Sequence, residues 1–161
     1  MYCLRAVIAA EHVLGELVRT LGGAYDAHIV FLGQHLSLLP VTDAFFNAVT
    51  GTAASRPDEF GTVPATFARA LAACSASGPV AYVEAEFFGG PGEQAAQVWD
   101  GGEAVLGPLR LGEDEPFPQD GSPISQALRR LGVAKDNHYD EFDAVGLGRH
   151  RDTEDWRPTT S

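Results

Sequence analysis

The sequence predicts an α+β fold: a single domain, residues 1–161, with a mainly antiparallel sheet built from two hairpins, the second extended into a meander, and about four packing helices. Three observations predict it. Two pairs of apolar segments are joined by short glycine-containing loops, at residues 28–41 and 80–106, and such pairs form antiparallel hairpins. Between and after them lie segments whose apolar residues recur at helical spacing. The length of 161 residues and the apolar fraction of 45% suit one self-sufficient core. A domain of that size buries roughly 70% of its unfolded surface, so it needs neither a disulfide nor a metal for stability.

Taken in order, Tyr2 to Ala9 reads as a first strand with Leu4, Ala6 and Ile8 on one side. Glu11 to Leu21 reads as a helix, with Val13, Leu14, Leu17, Val18 and Leu21 as its stripe and Gly22-Gly23 as its stop. His28 to Val41 reads as a hairpin around Gly33-Gln34, which sets Phe31 opposite Leu36 and Ile29 opposite Leu38. Thr42 or Asp43 caps a short helix over Ala44–Val49, ended by Gly51. Thr52 to Gly61 is small and polar and reads as a loop. Pro64 opens a helix whose stripe is Phe67, Ala70, Leu71 and Cys74, and Gly78-Pro79 ends it.

The central hairpin pairs Val80–Phe88 with Glu93–Trp99 across Gly89–Gly92. If that loop joins Phe88 directly to Glu93, Val98 stands opposite Val83, Ala96 opposite Ala85, Trp99 opposite Tyr82 and Gln97 opposite Glu84. One face is then small and apolar, fit for a helix. The other carries Tyr82, Glu84, Glu86, Gln97 and Trp99. A turn at Asp100-Gly101-Gly102 leads into a third strand, Glu103–Leu106, whose register the sequence leaves open. Gly107 to Gly121 reads as an acidic loop. Ser122 caps a helix with Pro123 in its first turn, Ile124, Ala127, Leu128 and Leu131 on its buried face, and Gly132 as its stop. Phe142 to Leu147 reads as a last strand, and the tail is expected to fray after about Trp156.

The net charge is −11. Residues 1–83 hold six acidic and four basic residues, and residues 84–161 hold sixteen and seven, so the second half carries −9. This balance opposes nucleic-acid binding and docking on anionic membranes, and it suits a basic protein partner. It leaves the oligomeric state open. No apolar run approaches the length of a membrane span, and the N-terminus lacks the pattern of a signal peptide. Cys3 and Cys74 lie far apart and read as free thiols of a cytoplasmic protein.

The candidate site is the second face of the central hairpin: Tyr82, Glu84, Glu86, Gln97 and Trp99. Glu84 and Glu86 stand about 7 Å apart on one face of a strand. Aromatic anchors ringed by charge suit a protein interface. The alternative is a small enzyme, or a cation- or sugar-binding protein, that uses Glu84 and Glu86 with His150. His28 and His35 lack a third metal ligand nearby, so no metal is expected. Gly89–Gly92 lacks the Lys-Ser/Thr of a phosphate loop, no GxSxG nucleophile motif occurs, and no cofactor or catalytic residue is assigned. The size and acidity resemble, at class level only, small acidic proteins that neutralise basic partners, such as bacterial toxin-immunity proteins. That likeness implies a non-enzymatic binding module.

Overall fold

The structure, a computed structural model, describes residues 2–21, 28–42, 45–46, 65–87, 92–112, 115–116, 119, 121–138 and 140–156. The elements are β1 (Tyr2–Ala9), α1 (Glu11–Thr20), β2 (Val30–Gly33), β3 (Leu36–Pro40), α2 (Ala65–Cys74), β4 (Val80–Phe87), β5 (Gly92–Asp100), β6 (Glu103–Leu111), α3 (Pro123–Arg130) and α4 (Glu141–Ala144). Short 3₁₀ turns cover Ser75–Ser77, Leu147–Arg149 and Thr153–Trp156. The strands form one six-stranded sheet in the order β2-β3-β1-β4-β5-β6, and every pairing between these strands is antiparallel. The α+β class and the antiparallel sheet predicted from the sequence are what the chain adopts.

The sheet is covered on both faces. Side chains alternate along each strand, so β1 sends Leu4, Ala6 and Ile8 to one core and Val7 and Ala9 to another. The first core packs α3, through Ile124, Ala127 and Leu128, against Ala81, Val83, Ala85, Ala96 and Val98. The small face of the hairpin thus does sit under a helix. The second core packs Val13, Leu14 and Leu17 of α1 and Phe67, Ala70, Leu71 and Cys74 of α2 on Val80, Tyr82 and Trp99. Both helical stripes match the sequence reading. The same packing puts the Tyr82 and Trp99 part of the candidate face beneath two helices. Two helices with apolar stripes need an apolar floor, and the rings of Tyr82 and Trp99 supply it.

The caps act locally as the sequence suggests. Ser122 Oγ accepts from the Ser125 N–H with Pro123 at the first helical position. Thr42 Oγ1 accepts from the Phe45 N–H. The rest of the predicted 44–49 helix, the 52–61 loop, Pro64, the Gly22-Gly23 stop, Phe88 with the hairpin tip, and the tail after Trp156 lie outside the described residues.

Four local readings change. The β4–β5 register is Val83 to Ala96 and Val80 to Trp99, two residues from the expected one. A two-residue shift keeps each side chain on its face, so the faces survive. The first hairpin differs by an odd step. Its turn is Gln34-His35, at φ 52° and 67°, and Val30 pairs with Leu38 and Phe31 with Ser37. That slip exchanges the faces: Phe31 is 64% exposed, while Leu32, Leu36 and Leu38 are buried. The third strand runs on to Leu111 rather than ending at Leu106, and absorbs Gly107-Pro108 with shifts in register near Ala96 and Val98. Its two-residue turn uses Gly101 and Gly102 at φ 63° and 89°, a geometry that glycine adopts without steric cost. Finally, residues 142–147 form no strand. Asp140 Oδ1 accepts from the Asp143 N–H and starts α4 instead.

The hairpin register is open to a direct check. Phe31→Ser should change stability by no more than about 0.5 kcal/mol, as surface substitutions do. Leu36→Ala should cost about 2–5 kcal/mol. Urea denaturation of the two variants separates this register from the one with Phe31 facing Leu36, in which both changes would be costly.

Candidate functional site: the polar end of a helix-covered face

The pairing of β1, β4 and β5 arranges the second face in rows. They run Ala9–Val80–Trp99, Val7–Tyr82–Gln97, Arg5–Glu84–Ala95 and Cys3–Glu86–Glu93. The first two rows lie largely under α1 and α2. Tyr82 meets Phe67 edge-on, with ring centroids 6.1 Å apart, and Phe67 meets Phe45 at 6.2 Å. Tyr82 and Trp99 are buried, and Gln97 is half-buried at the margin.

The third row is a buried ion pair. Arg5 is 7% exposed and Glu84 is 8% exposed. Arg5 Nε stands 3.4 Å from Glu84 Oε1, and the Arg5 Cζ lies 5.5 Å from the centroid of the Phe46 ring. Burial of either charge alone would be costly, so each makes the other tolerable. The match is incomplete: Arg5 Nη1 is buried and has no hydrogen-bond partner among the described residues.

The fourth row is half-buried. Glu86 and Glu93 stand directly opposite each other, and neither takes a hydrogen bond or an ion pair among the described residues. Like charges in directly opposed positions destabilise a sheet. Among the described residues, the polar end of the face therefore combines a buried guanidinium with one donor unmatched and two carboxylates without a counter-ion.

Of the five residues chosen from the sequence, the register brings all five onto one face, but Tyr82 and Trp99 are buried beneath the helices and Glu84 is buried beside Arg5. Glu86 and Gln97 keep access to solvent. Arg5 and Glu93 were missed. The signal for Arg5 was a lone charge in an otherwise apolar strand, facing the same side as Val7 and Ala9. His150 does not join Glu84 and Glu86. Its ring packs edge-on to Trp156 at 4.7 Å, and Trp156 belongs to the core on the other face of the sheet. The neighbouring arginines hold the C-terminal segment: Arg149 Nη2 donates to the Leu32 carbonyl, and the Arg151 carbonyl accepts from the Cys3 N–H. Among the described residues, no group of three or more His, Cys, Asp and Glu side chains is placed to hold a metal ion. Neither Cys3 nor Cys74 is in a disulfide.

Two expectations follow from this geometry. Glu84→Ala strands a buried guanidinium and should cost about 3–5 kcal/mol, whereas Arg5→Met with Glu84→Met should recover most of that loss. Urea denaturation of the single and double variants checks it, and equal losses in both would show that the pair does not set the cost. The second concerns pH. Burial, aided by the charge of Glu16, pushes the Cys74 thiol up to about 11. The folded state thus favours the protonated thiol. Its contribution is complete below the ordinary thiol pKa, taken as 9.0, and is lost as pH rises through about 11. Burial likewise pushes the Tyr2 hydroxyl, which donates to the Leu147 carbonyl, above its ordinary range. Stability should therefore fall on the alkaline side of about pH 9, and the native Cys74 should resist iodoacetamide at pH 8, as read by mass spectrometry.

Compared with known proteins, the chain matches no family model, no curated protein and no solved structure.

Proposed function

We propose that the chain is a non-enzymatic binding module for a basic protein partner, and that Glu86 and Glu93, with Gln97 beside them, form the contact. The observation that carries this reading is that Glu86 and Glu93 stand opposite each other with no counter-ion among the described residues. Two carboxylates in opposed positions cost stability in the free protein, and a cationic side chain between them would relieve that cost. The net charge of −11 supports it, since charge complementarity speeds association. So does the class-level likeness to small acidic proteins that neutralise basic partners, such as bacterial toxin-immunity proteins. Tyr82, Glu84 and Trp99 serve this reading from below. They form the floor that holds the two strands in register.

No helix of the described residues is long and apolar enough to cross a membrane. The two free thiols support a place in the reducing cytoplasm. The acidic balance speaks against nucleic acid and anionic lipid as partners.

The test is a pull-down from the native host at low and high ionic strength, with Glu86→Gln/Glu93→Gln as the comparison. The expected result is a basic protein retained at low salt and lost both at high salt and with the double variant. The double variant should itself melt no lower than the parent, because it removes a repulsion. Equal recovery by parent and variant would remove Glu86 and Glu93 from the contact. Turnover of a small substrate by the purified protein would overturn the non-enzymatic reading.

A further inference from the structure

The segment after the 3₁₀ turn at Leu147–Arg149 closes part of the edge of β1 without joining the sheet as a strand. We propose that His150–Trp156 is a latched strap. It swings away from β1 as one unit, with Trp156 as the latch, while the six-stranded sheet stays folded. Closed, it covers the β1 edge at Cys3 and Arg5. Open, it bares that edge.

The first support is the way the strap is held. β4 pairs with β1 residue by residue from Tyr2 to Ala9, and β3 pairs with it only from Ala6 to Ala9. The strap takes the stretch that β3 leaves. The Cys3 N–H donates to the Arg151 carbonyl at 2.7 Å, and the Arg5 N–H donates to Thr153 Oγ1 at 3.0 Å. The Thr153 hydroxyl donates to the Cys3 carbonyl at 3.4 Å. Cys3 and Asp152 form an isolated parallel bridge, and the neighbouring link runs through a side chain. The strap is thus joined to β1 by separate bonds, whereas β4 is joined to it by a continuous ladder.

The second support is burial. Arg151, Asp152, Glu154 and Asp155 are exposed, and His150 and Thr153 are half-buried. Trp156 is the buried side chain of the strap, and it joins the core that α3 covers. Segments with exposed backbone bonds and few buried contacts open below global unfolding. The latch is also imperfect. Trp156 Nε1 is buried with no hydrogen-bond partner among the described residues, so water gained on opening offsets part of the cost of release.

The third support is a sharp boundary. Leu147 is fully buried, and its carbonyl accepts from the Tyr2 hydroxyl at 2.7 Å. The Arg149 side chain donates to the carbonyls of Leu32, Val145 and Gly146. The turn is therefore tied to the body of the protein. The backbone becomes extended at His150, and the strap starts there. An unpaired strand edge pairs readily with another chain, so a strap at this place controls access to a central strand.

Native-state hydrogen exchange of the ¹⁵N-labelled full chain tests the strap. The reporters are the Cys3 and Arg5 amides and the Trp156 indole N–H. The Leu4 and Ala6 amides, which alternate with them and point to β4, are the controls. The three reporters should share one opening constant and be protected about ten-fold or more less than the controls. That opening should depend weakly on urea, and the opening that exposes Leu4 and Ala6 should depend on it steeply. Leu4 lies between two reporters, so simple fraying of the N-terminus would rank Cys3, Leu4 and Arg5 in chain order and overturn the strap. Convergence of all five groups on one opening, steep in urea, would also overturn it. Exchange at Cys3 and Arg5 with the indole still protected would remove Trp156 as the latch. Trp156→Ala should speed exchange at Cys3 and Arg5 about ten-fold or more, with the amide shifts of β4 and β5 in place. Collapse of those shifts would show that the sheet does not stand without the latch, and would overturn independent opening.

Discussion

The structure depends on the hydrogen bonding of β1. This strand is third in the sheet and buried from Leu4 to Ala9, so its backbone polar groups need partners within the protein. β4 supplies one edge along the whole strand, from Tyr2–Phe87 to Ala9–Val80. β3 supplies the other edge only from Ala6 to Ala9, and the Val41 N–H then donates to the Arg5 carbonyl. The remainder is completed from the far end of the chain. The Cys3 N–H donates to the Arg151 carbonyl, and the Arg5 N–H donates to Thr153 Oγ1. The central strand therefore ties the start of the chain to the end, and the segment after α4 is extended or loosely turned because it serves as that missing edge.

Two-sided burial of β1 has a second consequence. A strand with one face in water can alternate apolar and polar residues, whereas one between two helical layers must be apolar on both faces. β1 meets that demand at every position from Leu4 to Ala9 except Arg5. Charge at such a position is tolerated only with a partner, and the register places Glu84 directly across from it. The acid–base pair is thus a condition of the β1–β4 register as much as a product of it. A one-residue slip would move Arg5 into the core formed with α3 and leave Glu84 behind.

The larger elements were legible because their signals are local. The stripe of α2, the Ser122 cap with Pro123, the glycine turn after Asp100 and the alternation in β1 each follow from residues within a few positions of one another. What escaped depends on distant contacts. The first hairpin was placed one step away because Gly33 is a good turn residue in isolation, while the Gln34-His35 turn brings Leu32 and Val30, rather than Phe31 and Ile29, onto the core beside Leu36 and Leu38. The run 142–147 reads as a strand in isolation, but the Asp140 cap starts a helix there instead. The two-sided cover of the sheet was hidden for a similar reason. Tyr82 and Trp99 read equally as exposed anchors or as the floor under two helices, and only the destination of Val13, Leu14, Leu17 and Phe67 decides between them. Arg5 was overlooked because its meaning appears only when β1 is laid beside β4.

Agreement between local preference and global packing is what gives a sequence one structure, and departures from it gather at places kept for another purpose. In this chain the departures adjoin each other. Arg5 is a charge in a central strand, with one donor unmatched among the described residues. Glu86 and Glu93 oppose each other one row outward. The rest of the same face follows the rules: apolar rows, two helices with matching stripes, edge-on aromatic contacts. Replacing Glu93 by an uncharged residue would ease the repulsion without disturbing a single contact of the core. The outer row is thus where this face departs from local preference, next to the buried pair. The buried pair behind the two carboxylates belongs to the β1–β4 register, and the β4–β5 register is what brings them face to face.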